Sequence, residues 1–333
     1  MSWIALVLLV LALAGCGGDG DGDNDKDDGR TYRIGVISGS DLFNSTIDAF
    51  KAQLAENGYV EGENISYDVQ FAANDAEKMA QFSQKFVEDK VDLIFTTANT
   101  AAAAARTATE GTDIPVVFTF VVAPVETRVV TDLTRPGGNL TGVRNPVDVF
   151  VGKRVEILLK IAPDVKRLWV PYNPAYPTVA AVLAALRIDA PTLGVELVET
   201  TITAAEDIPP ILDAYEQAGD PPFDAIIIMP DLTVQGPASW NAILAYAQKH
   251  GLMISANTQS QVEEGALFSY LSNNESTGKQ AARLARQILE GIPPADLPVE
   301  TGEVFLVINL KVAEDAGLGV PNDIIGPDTV VIR

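Results

Sequence analysis

With 333 residues, 47% of them hydrophobic, the chain is long enough for two α/β cores of roughly 150 residues each. A formal charge of -22 repels phosphate backbones and anionic headgroups, which excludes nucleic acid as a partner. One Cys and one His rule out an internal disulfide, a thiolate-imidazole metal site and a Cys-His catalytic pair, so neither metal nor cofactor is expected.

Trp3 to Gly15 form an apolar run of 13 residues, too short to cross a bilayer and right for the hydrophobic segment of a signal peptide. It ends in Leu-Ala-Gly-Cys, Leu13 to Cys16, which is similar to the bacterial lipobox whose Cys takes the lipid anchor and becomes the mature N-terminus. No Lys or Arg precedes the run, the one departure from a signal peptide's pattern. The Asp-Gly-rich stretch that follows cannot bury enough apolar surface to order itself and reads as a solvated tether. Aligning Asp19, Asp21 and Asp23 with an EF-hand puts Asn24 where the turn Gly belongs, which argues against a calcium loop. The expected organisation is a signal peptide over 1–16 and a tether over 17–30.

From Thr31 onward short apolar strands alternate with amphipathic helices, the pattern of a parallel sheet covered on both faces. Strands are predicted over 31–38, 64–72, 91–97 and 114–121. The helices between them carry Ile47, Phe50 and Leu54 on one face, then Met79, Phe82 and Phe86, then the alanines from Ala101 to Ala105. Pro and paired Gly in 134–145 break this rhythm and mark a first crossing between lobes. A second cycle has strands over 167–173, 196–202, 223–231 and 252–258, with Trp240, Ile243, Leu244 and Ala247 striping its last helix. His250 closes that helix, where the dipole favours a cation, and reads as a solvated or capping residue. Residues 265–272 cross back, a helix from Gly278 to Glu290 packs on the first lobe, and 305–310 return to the second. The fold class is α/β, two Rossmann-like lobes with parallel sheets joined by three crossover segments. The expected lobes are 31–141 plus 272–300 and 142–271 plus 301–333.

Gly278-Lys279 lacks the upstream Gly and following Ser or Thr of a phosphate-binding loop, and neither GxGxxG nor GxSxG occurs. Nothing marks a catalytic centre. Ligands in open α/β sheets sit beyond the carboxyl ends of the strands. Those ends here are Ser38, Ser40 and Asp41, then Thr97, Asn99 and Thr100, then Phe120; in the second lobe they are Tyr172 and Asn173, Asp231 and Thr233, and Asn257. Each alone is an ordinary turn or cap residue, and their convergence makes them the ligand-binding candidates. Asp231 ends the most apolar strand of the second lobe. It is either a carboxylate projecting into the cleft toward a ligand ammonium or a cap on the turn before Thr233.

The blocks GYVEGENI (58–65), KFVEDKVDLIF (85–95), DIPVVF (113–118), RPGGNLTGV (135–143), GIPPADLPVE (291–300) and VINLKVAEDAGLGVP (307–321) resemble the ABC-transporter substrate-binding family of the tryptophan or aromatic amino-acid type. The resemblance runs from about Arg33 to Arg333 and implies a type I periplasmic binding protein fold that closes on a small polar ligand, an amino acid or related compound. It further implies an ABC permease with its cytoplasmic ATPase as partner, a lipid anchor outside the cytoplasm, and a monomer. A ligand sensor without transport, or an enzyme on the same scaffold, are the other readings. Two departures leave the ligand open. Ala123 precedes Pro124 where relatives carry an acidic residue, and the segment after the second crossing reads YLSNNESTGKQ (270–280) in place of a Gly-rich aromatic stretch.

Overall fold

β-branched runs bounded by Gly, Asn and Asp turns, alternating with Ala- and Leu-rich helices, build two covered sheets in succession. The structure is a computed structural model that describes residues 30–219 and 221–333. The expected signal peptide, Cys16 and residues 17–29 of the tether lie outside the described residues. In chain order the first sheet contributes β1 (Tyr32–Ser38), α1 (Asn44–Glu56), β2 (Ile65–Phe71), α2 (Ala76–Glu88), β3 (Leu93–Thr97), α3 (Asn99–Ala108), β4 (Val116–Val121) and β5 (Leu140–Arg144). The second is built from α4 (Val147–Ile161), β6 (Arg167–Tyr172), α5 (Val179–Thr192), β7 (Glu196–Thr201), α6 (Ile208–Ala218), β8 (Ala225–Ile227) and α7 (Leu232–Gln235). It continues through α8 (Pro237–His250), β9 (Met253–Ala256), α9 (Gln259–Glu264) and β10 (Phe268–Ser272). The chain then revisits the first sheet with α10 (Asn274–Leu289) and β11 (Glu300–Thr301), and ends on the second with β12 (Val304–Asn309), α11 (Leu310–Asp315) and β13 (Val330–Ile332).

The first sheet has the order β11-β5-β4-β3-β1-β2 and is parallel throughout. The second has the order β13-β12-β10-β9-β8-β6-β7. It is parallel as expected except for one antiparallel pairing, β10 with β12. β12 enters from the first lobe, at the end of the sheet where β10 leaves, so it must run the opposite way. Residues 265–272, expected as a connection, hold a ladder strand.

Apolar clusters cover both faces of each sheet. On one face of the first, Phe50 of α1 stacks on Phe95 of β3 with ring centroids 4.1 Å apart. α10 lies across α1 so closely that a Cβ at Gly278 would collide with the Thr46 carbonyl. Asp75 starts α2 by accepting from the N–H groups of Glu77 and Lys78, at 2.9 and 3.1 Å. At the far end of α8, His250 bonds Glu216, whose carboxyl is held below its ordinary range by Lys249 and by His250 itself.

The expected lobe borders fall inside β5, β10 and β11. A strand cannot be divided between two ladders, so the chain changes sheet where these strands end: after Arg144, after Ser272 and after Thr301. The three crossings are bonded together, Gly302 N donating to Arg144 O at 2.9 Å and Asn273 N to Glu303 O at 3.2 Å.

Candidate functional site

A cavity of about 1290 Å³ opens between the carboxyl ends of the two sheets. From the first sheet its wall takes Ser40 and Asp41 after β1, and Phe71, Ala73 and Asn74 where β2 ends. From the second it takes Asn173 after β6, Thr203 after β7, Leu232 and Thr233 after β8, and Asn257 after β9. Ser272 and Asn273 of the second crossing close one side. Phe71 is 46% exposed, an apolar ring on a wall that carries both apolar and polar groups.

Several residues near the carboxyl ends of the first sheet's strands, Ala73 and Asn74 of the wall among them, are held in uncommon backbone conformations. Ala73, Asn74, Ala98, Phe120 and Ala123 have φ of 50°, 60°, 72°, 54° and 45°, all next to strand carboxyl ends. Non-glycine residues occupy that region only when their surroundings fix them, and such positions gather at ligand sites. The fixing bonds are present: Asn74 N donates to Gly39 O at 2.7 Å and Ala98 N to Thr119 O at 3.0 Å.

Of the twelve candidates read from strand ends, Ser40, Asp41, Asn173, Thr233 and Asn257 stand on the wall. The others stand behind it. Ser38 and Thr97 are fully buried and tie β1 to β3 through their hydroxyls at 3.2 Å, while Gly39 N donates to Thr97 Oγ1 at 3.3 Å. Asn99 closes the loop after β4, its Nδ2 donating to Val122 O and its Oδ1 accepting from Val122 N. Thr100 follows it on α3, its hydroxyl buried. The bulge between Thr119 and Val121 turns Phe120 onto Phe43, with centroids 5.0 Å apart. Tyr172 donates to Glu199 at 3.1 Å, a carboxylate also gripped by Arg187.

Of the two roles left open for Asp231, the side chain takes the cap and does not project into the cleft. Its side chain has no exposed surface, because Oδ2 accepts from Asn173 N at 2.6 Å and Oδ1 from Thr233 N at 2.8 Å. Burial raises its pKa against the opposing effect of those bonds. Asp231 therefore caps α7 and positions Asn173 and Thr233 on the wall.

Phe71 and Arg154 were not among the candidates. Arg154, in α4, is completely buried beneath β8 and β9. Its guanidinium donates to Asn257 Oδ1 at 3.0 Å, Ser255 Oγ at 3.1 Å and the carbonyls of Ile228, Ser255 and Ala256. The sequence signal was a charge at Arg154 on the same helix stripe as Val151, Val155 and Leu158.

Residues 34–331 match the family described as ABC transporter substrate binding protein. The chain belongs to that family. Accordingly it is a substrate-binding protein and not an enzyme. A tyrosine-binding protein of Clostridioides difficile (strain R20291) is 30% identical to this substrate-binding protein over 264 residues, 78% of this chain and 73% of that one. A conserved domain protein from Vibrio cholerae O1 biovar eltor, solved by crystallography, is similar at a TM-score of 0.81 and 28% identity, covering 91% of this chain and 100% of that one. The ligand-free, open structure of a substrate-binding protein with adhesive properties from Clostridium difficile is similar at 0.67 and 27% identity, covering 91% and 99%. Among the described residues, no helix of this substrate-binding protein is long and apolar enough to cross a membrane.

Proposed function

We propose that this chain captures an aromatic amino acid in the cavity between its lobes, outside the cytoplasm, and delivers it to an ABC permease for import. The observation that carries the reading is Phe71. An apolar ring left 46% exposed on a wall that also carries hydroxyl and amide groups suits a ligand that is aromatic at one end and polar at the other. Tyrosine binding by a relative 30% identical supports the same class.

The reading includes closure. The lobes, 31–144 with 274–301 and 147–272 with 304–333, would turn about the three bonded crossings. Two solved relatives of near-equal identity differ in TM-score, 0.81 against 0.67, and the lower value belongs to an open form. That difference supports lobes whose relative position varies within the family. The reading also keeps Cys16 as the lipid anchor, so Cys16→Ser should move the protein from the membrane fraction to the soluble one.

Calorimetric titration with L-tyrosine, L-phenylalanine and L-tryptophan tests the ligand class. At least one should bind, and Phe71→Ala should weaken it by about 10-fold through lost ring contact and apolar burial. Absence of heat with all three would remove the aromatic amino acid from the proposal.

A further inference from the structure

Leu232 of the second lobe meets Gly39 of the first. Both residues line the cavity and both are buried, Leu232 to 6% exposure. A Cβ built on Gly39 would lie 3.3 Å from Leu232 Cδ1, tighter than ordinary van der Waals contact. Leu232 shares its apolar cluster with Ala98, Val122 and Ala123, which also belong to the first lobe.

The first lobe by itself does not ask for a glycine at this position. The Gly39 backbone lies outside the left-handed region that favours glycine. Toward its own lobe the same Cβ would meet Met79 Cε at 3.4 Å and Thr97 O at 3.7 Å, both ordinary contacts. The one tight approach among the three nearest atoms comes from the other lobe.

The backbone on both sides of this contact is tied down. Gly39 N donates to Thr97 Oγ1 at 3.3 Å, and the Gly39 carbonyl accepts from Asn74 N at 2.7 Å. Leu232 opens α7, whose start is fixed by Asp231 Oδ1 accepting from Thr233 N at 2.8 Å and whose end is fixed by Gly236 N donating to Leu232 O at 3.0 Å. Neither chain can step back to admit a side chain between them.

We infer that Leu232 seated on Gly39 is the contact on which the two lobes close, and that position 39 must lack a side chain for closure to complete. The inference rests on the closure reading. A side chain at 39 leaves the first lobe as it is and overpacks the closed form, so affinity falls with the closed population. Gly39 thereby acts on binding through the approach of the lobes and not through the ligand.

The test is a double-mutant cycle in the full chain, read by calorimetry with whichever of L-tyrosine, L-phenylalanine and L-tryptophan binds tightest. Gly39→Val should weaken binding by about 10-fold or more, with Gly39→Ala between it and the wild type. Leu232→Ala removes the opposing methyl groups, and in that background Gly39→Val should cost less than about 3-fold. A Val side chain that met the ligand directly, or that merely loosened the first lobe, would cost the same in either background. Equal cost in both backgrounds therefore overturns the inference, as does wild-type affinity in Gly39→Val. Should Gly39→Val not fold, Gly39→Ala carries the same cycle.

Two readouts separate this contact from the readings beneath it. Small-angle scattering of the wild type with and without the same compound tests closure: an unchanged radius of gyration fails the closure reading, whereas a shrinking radius without coupling in the cycle fails the Gly39 contact alone. If none of the three compounds binds, the aromatic class fails, and the contact is read in the ligand-free wild type as a nuclear Overhauser cross-peak between a Leu232 methyl group and the Gly39 α-protons. Its presence supports the inference and its absence overturns it.

Discussion

The Asp231 carboxylate accepts from two backbone N–H groups on different loops, Asn173 and Thr233, and so fixes two stretches of the cavity wall with one buried side chain. Asp231→Ala would orphan both donors and remove the cap of α7, at a cost of about 2–4 kcal/mol. Asp231→Asn keeps one acceptor but turns an NH₂ toward one of the donors, and should cost less. Urea denaturation measures both. The pH dependence has a definite sign. Burial raises the folded pKa above the unfolded value, so the Asp231 contribution is fully present below the unfolded pKa and is lost as pH rises through the folded one. Asn does not titrate. Its deficit relative to wild type should therefore narrow as pH rises across that window, and a deficit that widened would mean the carboxylate is stabilised in its charged form.

At the scale of elements, the packing of α10 on α1 depends on Gly278. A Cβ there would lie 3.0 Å from Ala49 Cβ and 3.1 Å from Phe50 N as well as meeting the Thr46 carbonyl. Gly278→Ala would gain about 1 kcal/mol of helix propensity on an exposed helix, yet here overpacking of about 1–3 kcal/mol opposes it. Gly278→Val, bulkier and β-branched, should be clearly destabilising, read as a lower denaturant midpoint at unchanged slope. Elements of this kind were legible in the sequence. Ile47, Phe50 and Leu54 on one helix face, and strand ends bounded by Asn, Asp and Thr, follow from local periodicity and turn chemistry. Arg154 was not, because its partners lie 74 to 103 residues away and only the folded sheet brings them under α4. Phe71 continues the pattern of a strand with a covered face, and its exposure depends on β2 being the edge of its sheet. Strand-end position alone also could not separate Asn257, which lines the cavity, from Thr97, which the sheet buries.

For the whole molecule the question is what closing the lobes would gain. One apolar cluster runs from Ala98, Val122 and Ala123 at the carboxyl ends of the first sheet's strands to Tyr176 and Leu232 beyond those of the second. Tyr176 is only 8% exposed, and burial followed by the nearby Asp231 charge pushes its phenol well above the ordinary range. It does not line the cavity, so its contribution to binding would come through closure, not through contact with ligand. If the lobes separate without ligand, this surface is covered only in the closed form. Apparent affinity then falls by the factor by which the closed population falls. Tyr176→Ala should remove about 1–2 kcal/mol of apolar burial from the closed form, weakening an aromatic amino acid by about 5- to 30-fold. Small-angle scattering separates this from a change in the site. Saturating ligand should shrink the radius of gyration equally in wild type and variant, with the variant needing proportionally more ligand to reach the same end point. An affinity equal to wild type, or a radius that does not respond to saturation in either protein, would mean that binding proceeds without closure across this contact.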